Sequence, residues 1–272
     1  MTQRAPRLRT DVLTLKYASG MVNTGTTGEA PGSDIQAVTR AGQICALFGP
    51  DTAELTAADV SERLGLNRTT AYRYCISMVT AGILDRGAAK GTFVLGELML
   101  RLGIQALRRR PVVDLAPPYL ARLSEATRMT AVLSLWSSRG PVVTLVEEDR
   151  TRPAVVTVRP GTELDRTAAQ ARVFLAHQPD QRGLEALSLG ASPTERAELE
   201  AAVYTARRTG YSITELPGGV IAAAAPVFAP EGIAATVGLL GTDSSVDLSA
   251  GSTAVTELLA ATAALTEALA HR

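Results

Sequence analysis

A run of hydrogen-bonding side chains follows a glycine turn in the segment LGLNRTTAYRYC, residues 64–75. The run contains guanidinium, hydroxyl and phenol groups: Arg68, Thr69, Thr70, Tyr72 and Arg73. Arginine grips two acceptors on a guanine edge in the DNA major groove, and hydroxyls donate to phosphate oxygens. These residue types in this order indicate nucleic-acid recognition, provided that a helix presents them on one side.

A helix of about 100° per residue separates the residues after Arg68 into two faces. One face is small or apolar: Ala71, Cys75, Met78 and Val79. The opposite face is polar: Thr69, Thr70, Arg73, Ser77 and Thr80. We predict that the first face packs on preceding helices, with Cys75 as core, and that the second remains free. Tyr72 lies at the edge of the free face, where its hydroxyl can reach a phosphate.

The flanking sequence predicts the elements that position this face. The segment SDIQ resembles a capping box in which Ser33 begins a first helix and Gln36 reaches back. Thr56 begins a second helix, Gly65 ends it, and Asn67 begins the third.

Two short apolar runs, ILDR and TFVL, then enclose the turn GAAKG and predict a β-hairpin. In that hairpin, Arg86 and Lys90 are placed to contact the flanking DNA backbone as a wing. Three helices followed by a hairpin predict a winged helix-turn-helix, with the small residue Ser61 where two helices cross.

Each residue of this surface also has a purely structural interpretation. The arginines can be solvated surface groups and the threonines helix caps, and the DNA interpretation is favoured by the set rather than by any member. A protein-interaction module that uses the winged helix for dimerisation remains the alternative function, and a hydrolase fused to a regulator is a third.

An enzyme is not predicted, because the sequence contains no G-x-S-x-G, H-E-x-x-H, C-x-x-C or P-loop motif. The two histidines, His177 and His271, are too isolated for a metal site or a catalytic triad. We therefore expect no catalytic residues, no bound metal and no cofactor.

Charge divides the 272-residue chain into two parts. Residues 1–110 carry 14 Lys and Arg against 9 Asp and Glu, a net +5, whereas residues 111–272 carry 13 against 18, a net −5. A basic N-terminal part suggests an anionic partner for that part alone. The sequence shows no secretory signal and no run of 18 uncharged apolar residues, and it has two cysteines, which indicates a reducing cytoplasm and no membrane span.

The order of elements predicts an α+β protein in four segments. Small polar residues make 1–33 an unpatterned, disordered tail; 34–96 is the winged helix-turn-helix; 97–115 is a linker helix; and 116–272 is the second domain. That domain reads as three strands, two helices, three strands and a final amphipathic helix, which predicts a single-sheet sensor-like domain rather than a Rossmann fold.

The chain resembles the IclR-type family of bacterial transcription regulators from about residue 36 to its end. The segment LTAADVSERLGLNRTTAYRYCISMVTAGILDR is similar to the family's helix-turn-helix, and VTRAGQICALF and TFVLGELMLRLG are similar to its first helix and linker helix. The resemblance implies a GAF-like effector-binding domain with an antiparallel sheet. It also implies a homodimer or tetramer that binds a palindromic double-stranded operator and responds to a small-molecule effector, with recognition helices about 34 Å apart.

Two segments, GTELDRTAAQARVFLA and GVIAAAAPVFAPEGIAATVGLLG, resemble the family's effector-domain signatures but lack polar groups usual there. Ala168 and Ala171 stand where the family has Thr and Gly, and Ala222 stands where it has Cys or Ser. The remaining candidates are an acidic position and two late-strand serines, which match Ser212, Gly238 and Leu240.

Burying a carboxylate against such walls without partners costs several kcal/mol. We therefore hypothesise an effector that is larger or more apolar than a small organic acid, or a vestigial pocket. Arg166 is the basic residue of the first signature that can meet an anion, and it is equally consistent with a surface arginine. Trp136, the only tryptophan, is expected in a strand core.

Overall fold

A computed structural model of the chain describes residues 11–14, 35–149, 151, 154–178, 181–242 and 247–272. These residues divide into two units. Residues 35–109 form the first unit, and the second contains strand β1 (Asp11–Thr14) together with the described residues from 110 onward.

The first unit has the predicted order of three helices, a hairpin and a further helix. Its elements are α1 (Gln36–Cys45), β2 (Leu55–Thr56), α2 (Ala57–Leu64), α3 (Arg68–Thr80), β3 (Leu84–Arg86), β4 (Thr92–Leu95) and α4 (Glu97–Arg108). Strand β4 lies between β2 and β3, and both pairings are antiparallel. The winged helix-turn-helix is therefore confirmed.

Local hydrogen bonds fix the turn between α2 and α3. A capping box joins Thr56 and Asp59 at the start of α2, and Gly65 closes that helix with φ of 63°. The Asn67 side chain accepts a hydrogen bond of 2.9 Å from the Thr69 backbone and begins α3. Ser61 was predicted only as a small residue where two helices cross. Its hydroxyl also donates a hydrogen bond to the Leu66 carbonyl at 2.6 Å, which connects α2 to the turn.

The core of this unit lies under the apolar side of α3, as predicted. Ala71 and Cys75 are fully buried, and they pack with side chains from α1, α2 and the hairpin: Ile44, Leu55, Val60, Met78, Leu84 and Phe93. Burial raises the pKa of the Cys75 thiol, which agrees with a role in packing.

The predicted cap of α1 is not found at its expected place. Ser33 lies outside the described residues, and α1 begins at Gln36 with Ile35 in the cap position. Ile35 and Val38 are 69% and 67% exposed. The linker helix is also shorter than expected, since α4 ends at Arg108 and a new helix begins at Pro111.

The second unit is built on one five-stranded antiparallel sheet. Its helices are α5 (Pro111–Leu115), α6 (Pro117–Thr127), α7 (Ala169–His177), α8 (Arg182–Leu187), α9 (Pro193–Thr209) and α10 (Thr253–Ala270). Its strands after β1 are β5 (Thr130–Trp136), β6 (Pro141–Glu147), β7 (Ala154–Thr157), β8 (Ser212–Leu216), β9 (Val220–Ala229) and β10 (Gly232–Thr242). The order across the sheet is β6-β5-β10-β9-β8, and the predicted α+β fold class is confirmed.

The two faces of this sheet have different coverings. Helices α5, α6 and α10 cover one face with a large apolar core that includes Leu133, Leu239, Leu258 and Leu265. Helix α7 and strand β7 cover the other face with a smaller cluster that includes Val132, Val156 and Ala222. Residues alternate along each strand between these faces, as a pleated sheet requires.

Two features of this unit depart from the sequence predictions. Strand β7 does not join the five-stranded sheet; it pairs in parallel with β1 from Asp11↔Ala154 to Thr14↔Thr157. The prediction of a structureless tail is therefore wrong at residues 11–14. The β-branched residues of DVLT favour extended backbone over that short stretch. The other residues of 1–34 are not described.

Helix α10 has the length and composition of a membrane-crossing helix. Leu258 and Leu265 on this helix are fully buried in the larger core beneath the sheet. Such burial is typical of the core helix of a folded domain.

Candidate nucleic-acid interface and effector face

The structure brings the predicted DNA-facing residues together on one unit and leaves them open to solvent. The exposed set contains every residue predicted for this surface: Arg68, Thr69, Thr70, Tyr72, Arg73, Ser77, Arg86 and Lys90. Helix α3 thus buries its apolar side and exposes its hydroxyl and guanidinium side. We call this set the polar face.

Tyr72 and Arg86 are joined through a third, buried side chain. The Tyr72 ring meets the Phe93 ring edge-on, with centroids 6.5 Å apart. The Arg86 guanidinium lies 5.1 Å from the centroid of the same Phe93 ring. Aromatic and cation–π contacts of this kind contribute about 0.5–1.5 kcal/mol each, and they hold the wing arginine near the edge of α3.

One part of the polar face is a shallow depression. Thr70, Arg73, Tyr74 and Ser77 line a shallow depression along α3. Tyr74 was not predicted for this surface, because its position on the helical projection falls between the two faces. Lys90 lies in the loop between β3 and β4, beyond the strands of the wing.

The predicted effector residues of the second unit lie on the sheet face that α7 covers. Ser212, Gly238 and Val132 belong to one row of cross-strand neighbours, which runs Ser212↔Ala224↔Gly238↔Val132. Ala222 and Leu240 face each other in the adjacent row. We call this surface the α7 face.

Four of the predicted effector residues share one apolar cluster. Ala168, Ala171, Ala222 and Leu240 are at most 8% exposed and pack together with valines of β5, β6 and β7. Ser212 is 7% exposed on the same face. These candidates therefore lie on one surface, and that surface is apolar over most of its area.

Arg166 is placed differently from its expected role. Its guanidinium is bonded to the carboxylate of Glu195, which also accepts from the Ser192 backbone in the capping box of α9. That capping bond is the main cause that lowers the pKa of Glu195, and Arg166 adds to it. A ligand anion would have to compete with a carboxylate that Arg166 already contacts.

Three buried polar residues of the α7 face were missed by the sequence predictions. Ser134, Gln170 and Thr236 are 0%, 8% and 0% exposed. Their only signal in the sequence is a polar residue inside an otherwise apolar strand or helix. That signal is weak, since it does not tell which face of the element the residue occupies.

A helix-turn-helix unit with a wing, followed by a separate sheet domain, defines the class of two-domain transcription regulators. Residues 37–87 match the family model of the IclR helix-turn-helix domain, and residues 104–266 match that of the bacterial transcriptional regulator IclR C-terminal domain. The chain belongs to the IclR family. It is a transcriptional regulator with a helix-turn-helix DNA-binding domain and a C-terminal domain of that family.

Curated relatives agree with this assignment. The chain is 28% identical to the HTH-type transcriptional regulator BhcR of Paracoccus denitrificans over 225 residues, which are 78% of each protein. It is 27% identical to the HTH-type transcriptional regulator XynR of Escherichia coli over 204 residues, or 71% of this chain and 81% of XynR. These relatives are regulators rather than enzymes.

Solved structures share the fold. An IclR-type regulator from Silicibacter has a TM-score of 0.75 at 23% identity, covering 86% of this chain and 96% of that one. An IclR homologue from Microbacterium hydrocarbonoxydans, complexed with 4-hydroxybenzoate, has a TM-score of 0.70 at 22% identity, covering 86% and 98%. HmgR of Pseudomonas aeruginosa has a TM-score of 0.65 at 25% identity, covering 87% and 100%.

Proposed function

We propose that this regulator binds a palindrome-like operator as a homodimer in the bacterial cytoplasm, and that a small molecule bound at the α7 face changes its operator affinity. The observation that carries the DNA part is the polar face: eight predicted contact residues from α3 and the wing are exposed together on one unit. The opposite side of α3 forms the core beneath them.

Helix α3 enters the major groove in this proposal. Arg73 and Ser77 lie on its outward side and face base edges, whereas Thr69 and Thr70 in its first turn meet a phosphate with the free backbone N–H groups. Arg86 and Lys90 then contact the flanking backbone. Backbone contacts set the register of the protein, and the α3 side chains read the sequence.

Helix α4 supports dimerisation through a second copy of the chain. Leu100, Ile104 and Leu107 are 65%, 50% and 41% exposed and follow the i, i+4, i+7 spacing of one helical stripe. A palindromic operator requires two recognition helices related by two-fold symmetry. Pairing of α4 stripes would bury apolar surface in the same unit that carries α3.

The effector part rests on the convergence of Ala168, Ala171, Ala222 and Leu240 in one apolar cluster between α7 and the sheet. A cluster of this composition favours an effector with an apolar body. We propose that its binding shifts the equilibrium between arrangements of the dimer, with a coupling of about 1–3 kcal/mol.

Footprinting and mobility shifts on the DNA upstream of the protein's own gene test this function. We expect one protected palindrome, and a binding constant that falls with salt with a log–log slope of about −3 or steeper, because four cations of the polar face, Arg68, Arg73, Arg86 and Lys90, displace counterions. Replacing Arg86 and Lys90 together by alanine is expected to make the slope shallower.

Replacing Arg196 and Arg208 by alanine removes the same charge from α9 and serves as the control. No DNA binding at low ionic strength, or binding whose salt slope does not change in the Arg86→Ala, Lys90→Ala variant, would contradict the proposed interface.

A further inference from the structure

The α7 face contains a small group of uncharged polar side chains surrounded by apolar residues. Ser134 on β5, Thr236 on β10 and Gln170 on α7 are all at least nine-tenths buried. Ser134 and Thr236 are cross-strand partners, so their side chains stand next to each other on one face. We call the three side chains the polar cluster.

The hydrogen bonds of the polar cluster are incomplete. The Ser134 hydroxyl donates to Gln170 Oε1 at 3.2 Å, and Gln170 Nε2 donates to the Val132 carbonyl at 3.3 Å. Thr236 Oγ1 is fully buried and has no hydrogen-bond partner among the described residues. Buried hydroxyls nearly always have a partner, since leaving one unsatisfied is costly.

Gly238 makes room for the glutamine. A Cβ at position 238 would lie 2.9 Å from Gln170 Nε2 and 3.0 Å from its Cδ, so the side chain rests directly on the bare backbone of β10. Glutamine is long and has several rotatable bonds, and its amide is held by two long hydrogen bonds. The far end of the Gln170 side chain can therefore shift more readily than backbone could, and a ligand group beside Thr236 would displace it.

We infer that the polar cluster is the polar end of the effector pocket, and that it takes an uncharged hydrogen-bonding group such as a phenol, an alcohol or a primary amide. This inference rests on the proposed function, since it assumes that the effector binds at the α7 face. The cluster contains two hydroxyls and one amide, and each of these groups can both donate and accept hydrogen bonds. The three side chains of the cluster carry no charge that would offset a buried carboxylate, and Arg166, the basic residue predicted to meet an anion, is bonded to Glu195 instead.

Trp136 is a local reporter for this site. It is the only tryptophan of the chain, it lies two residues after Ser134, and its ring packs against Phe174 of α7 with centroids 5.4 Å apart. A ligand that enters between α7 and the sheet should change its fluorescence.

The experiment is a fluorescence titration of the full-length protein with matched aromatic fragments. The probes are methyl 4-hydroxybenzoate, its methyl ether, 4-hydroxybenzamide and the carboxylate 4-hydroxybenzoate. We expect the uncharged phenol and amide to bind more tightly than the ether and the carboxylate. Thr236→Val should weaken the binding of the phenol about three- to tenfold, as for one lost hydrogen bond, and leave the ether unchanged.

Thr262→Val makes the same chemical change at a 3% exposed threonine on α10, and it should leave all four affinities unchanged. Thr236→Val should keep or raise the melting temperature of the parent protein, since Thr236 Oγ1 makes no bond within the described residues and an unsatisfied buried hydroxyl is removed.

Three results would overturn the inference. The first is that the carboxylate binds most tightly, changes Trp136 fluorescence and alters operator affinity. That result would support the proposed function but reject the polar cluster as the site for an uncharged group. The second is a preference for the phenol that survives Thr236→Val. The third is that no probe changes Trp136 fluorescence and no probe changes operator affinity. This result would also contradict the effector part of the proposed function.

Discussion

Arg73 carries its charge on the outward side of α3, and its role can be tested without disturbing the core. The residue is exposed and lines the depression along the helix. If Arg73 reads a base, Arg73→Ala should weaken operator binding by about 1–3 kcal/mol and relax specificity at one base pair. Mobility shifts on single-base operator variants measure both effects.

The control for this prediction is Arg196→Ala on α9, where the same charge is lost from an exposed ion pair with Glu200. Equal operator affinity of Arg73→Ala and the parent protein would remove Arg73 from the reading surface.

Gly238 and Gln170 should be coupled in stability. Gly238→Ala places a methyl group against the flexible end of the Gln170 side chain, which must shift and weaken its hydrogen bonds, so it is expected to cost about 0.5–1.5 kcal/mol. In the double variant with Gln170→Ala that clash is gone, so the two changes together should cost less than the sum of the single changes. Thermal or urea unfolding of the four proteins measures the coupling.

Gly49→Ala serves as a comparison, because a Cβ there meets no atom within 4 Å. Additive effects of Gly238→Ala and Gln170→Ala would show that the glutamine does not rest on the glycine.

At the scale of elements, α2 depends on its capping box. The Thr56 backbone N–H donates to Asp59 Oδ2 at 2.7 Å, and this bond, followed by that of the Thr56 hydroxyl, lowers the pKa of Asp59. Because the folded pKa is depressed, the stabilisation is complete above the unfolded value near pH 4 and is lost as the pH falls through the lower folded value.

Asp59→Asn should therefore cost about 0.5–2 kcal/mol at pH 7, and the difference from the parent protein should shrink in acid. Thermal unfolding between pH 7 and pH 2 measures this, with Glu62→Gln on the same helix as the matched loss of charge. A difference that stays constant down to pH 2 would contradict the capping role.

The apolar stripe of α4 makes a separate prediction about assembly. If two α4 stripes pair as proposed, Ile104→Glu should prevent dimer formation and weaken operator binding, because a charge would be buried between the stripes. Gln105→Glu, one residue further along the same helix, should not. Sedimentation velocity of the two variants distinguishes these outcomes, and a dimeric Ile104→Glu would place the interface elsewhere.

The sequence predicted elements well where local signals decide them. Helix α3 carries its own cap at Asn67, a glycine turn before it and an apolar side, so its start and orientation were both foreseen. The break between α4 and α5 and the separate helix α6 were not predicted from the sequence, although proline is favoured in the first turn of a new helix, where Pro111 and Pro117 lie.

The sequence predicted more of the candidate site in the first unit than in the second. The polar face follows from the periodicity of one helix, and every residue predicted for it is exposed. The polar cluster depends on register between β5 and β10 and on how α7 lies over them. Such tertiary contacts leave no periodic trace along the chain, so Ser134, Gln170 and Thr236 could not be grouped from sequence.

For the whole molecule, the proposed coupling must act in both directions. If an effector lowers operator affinity by some factor, operator DNA must lower effector affinity by the same factor. For a coupling of about 1–3 kcal/mol this is a change of about 5- to 150-fold. Titrations of Trp136 fluorescence with effector, with and without saturating operator, measure this factor, and an effector affinity that saturating operator leaves unchanged would rule out coupling between the two sites.

Strand β1 lies near the start of the sequence, yet it belongs to the second unit, which is otherwise built from residues after 109. Residues 11–14 supply the only strand that pairs with β7 in the described chain. A shortened protein that starts at residue 35 would keep the whole DNA-binding unit and still leave the β7 backbone groups open to any extended peptide. Truncation for crystallisation or for reporter fusions would thus perturb the domain to which we assign effector binding, whereas fusions joined before residue 11 would leave β1 in place.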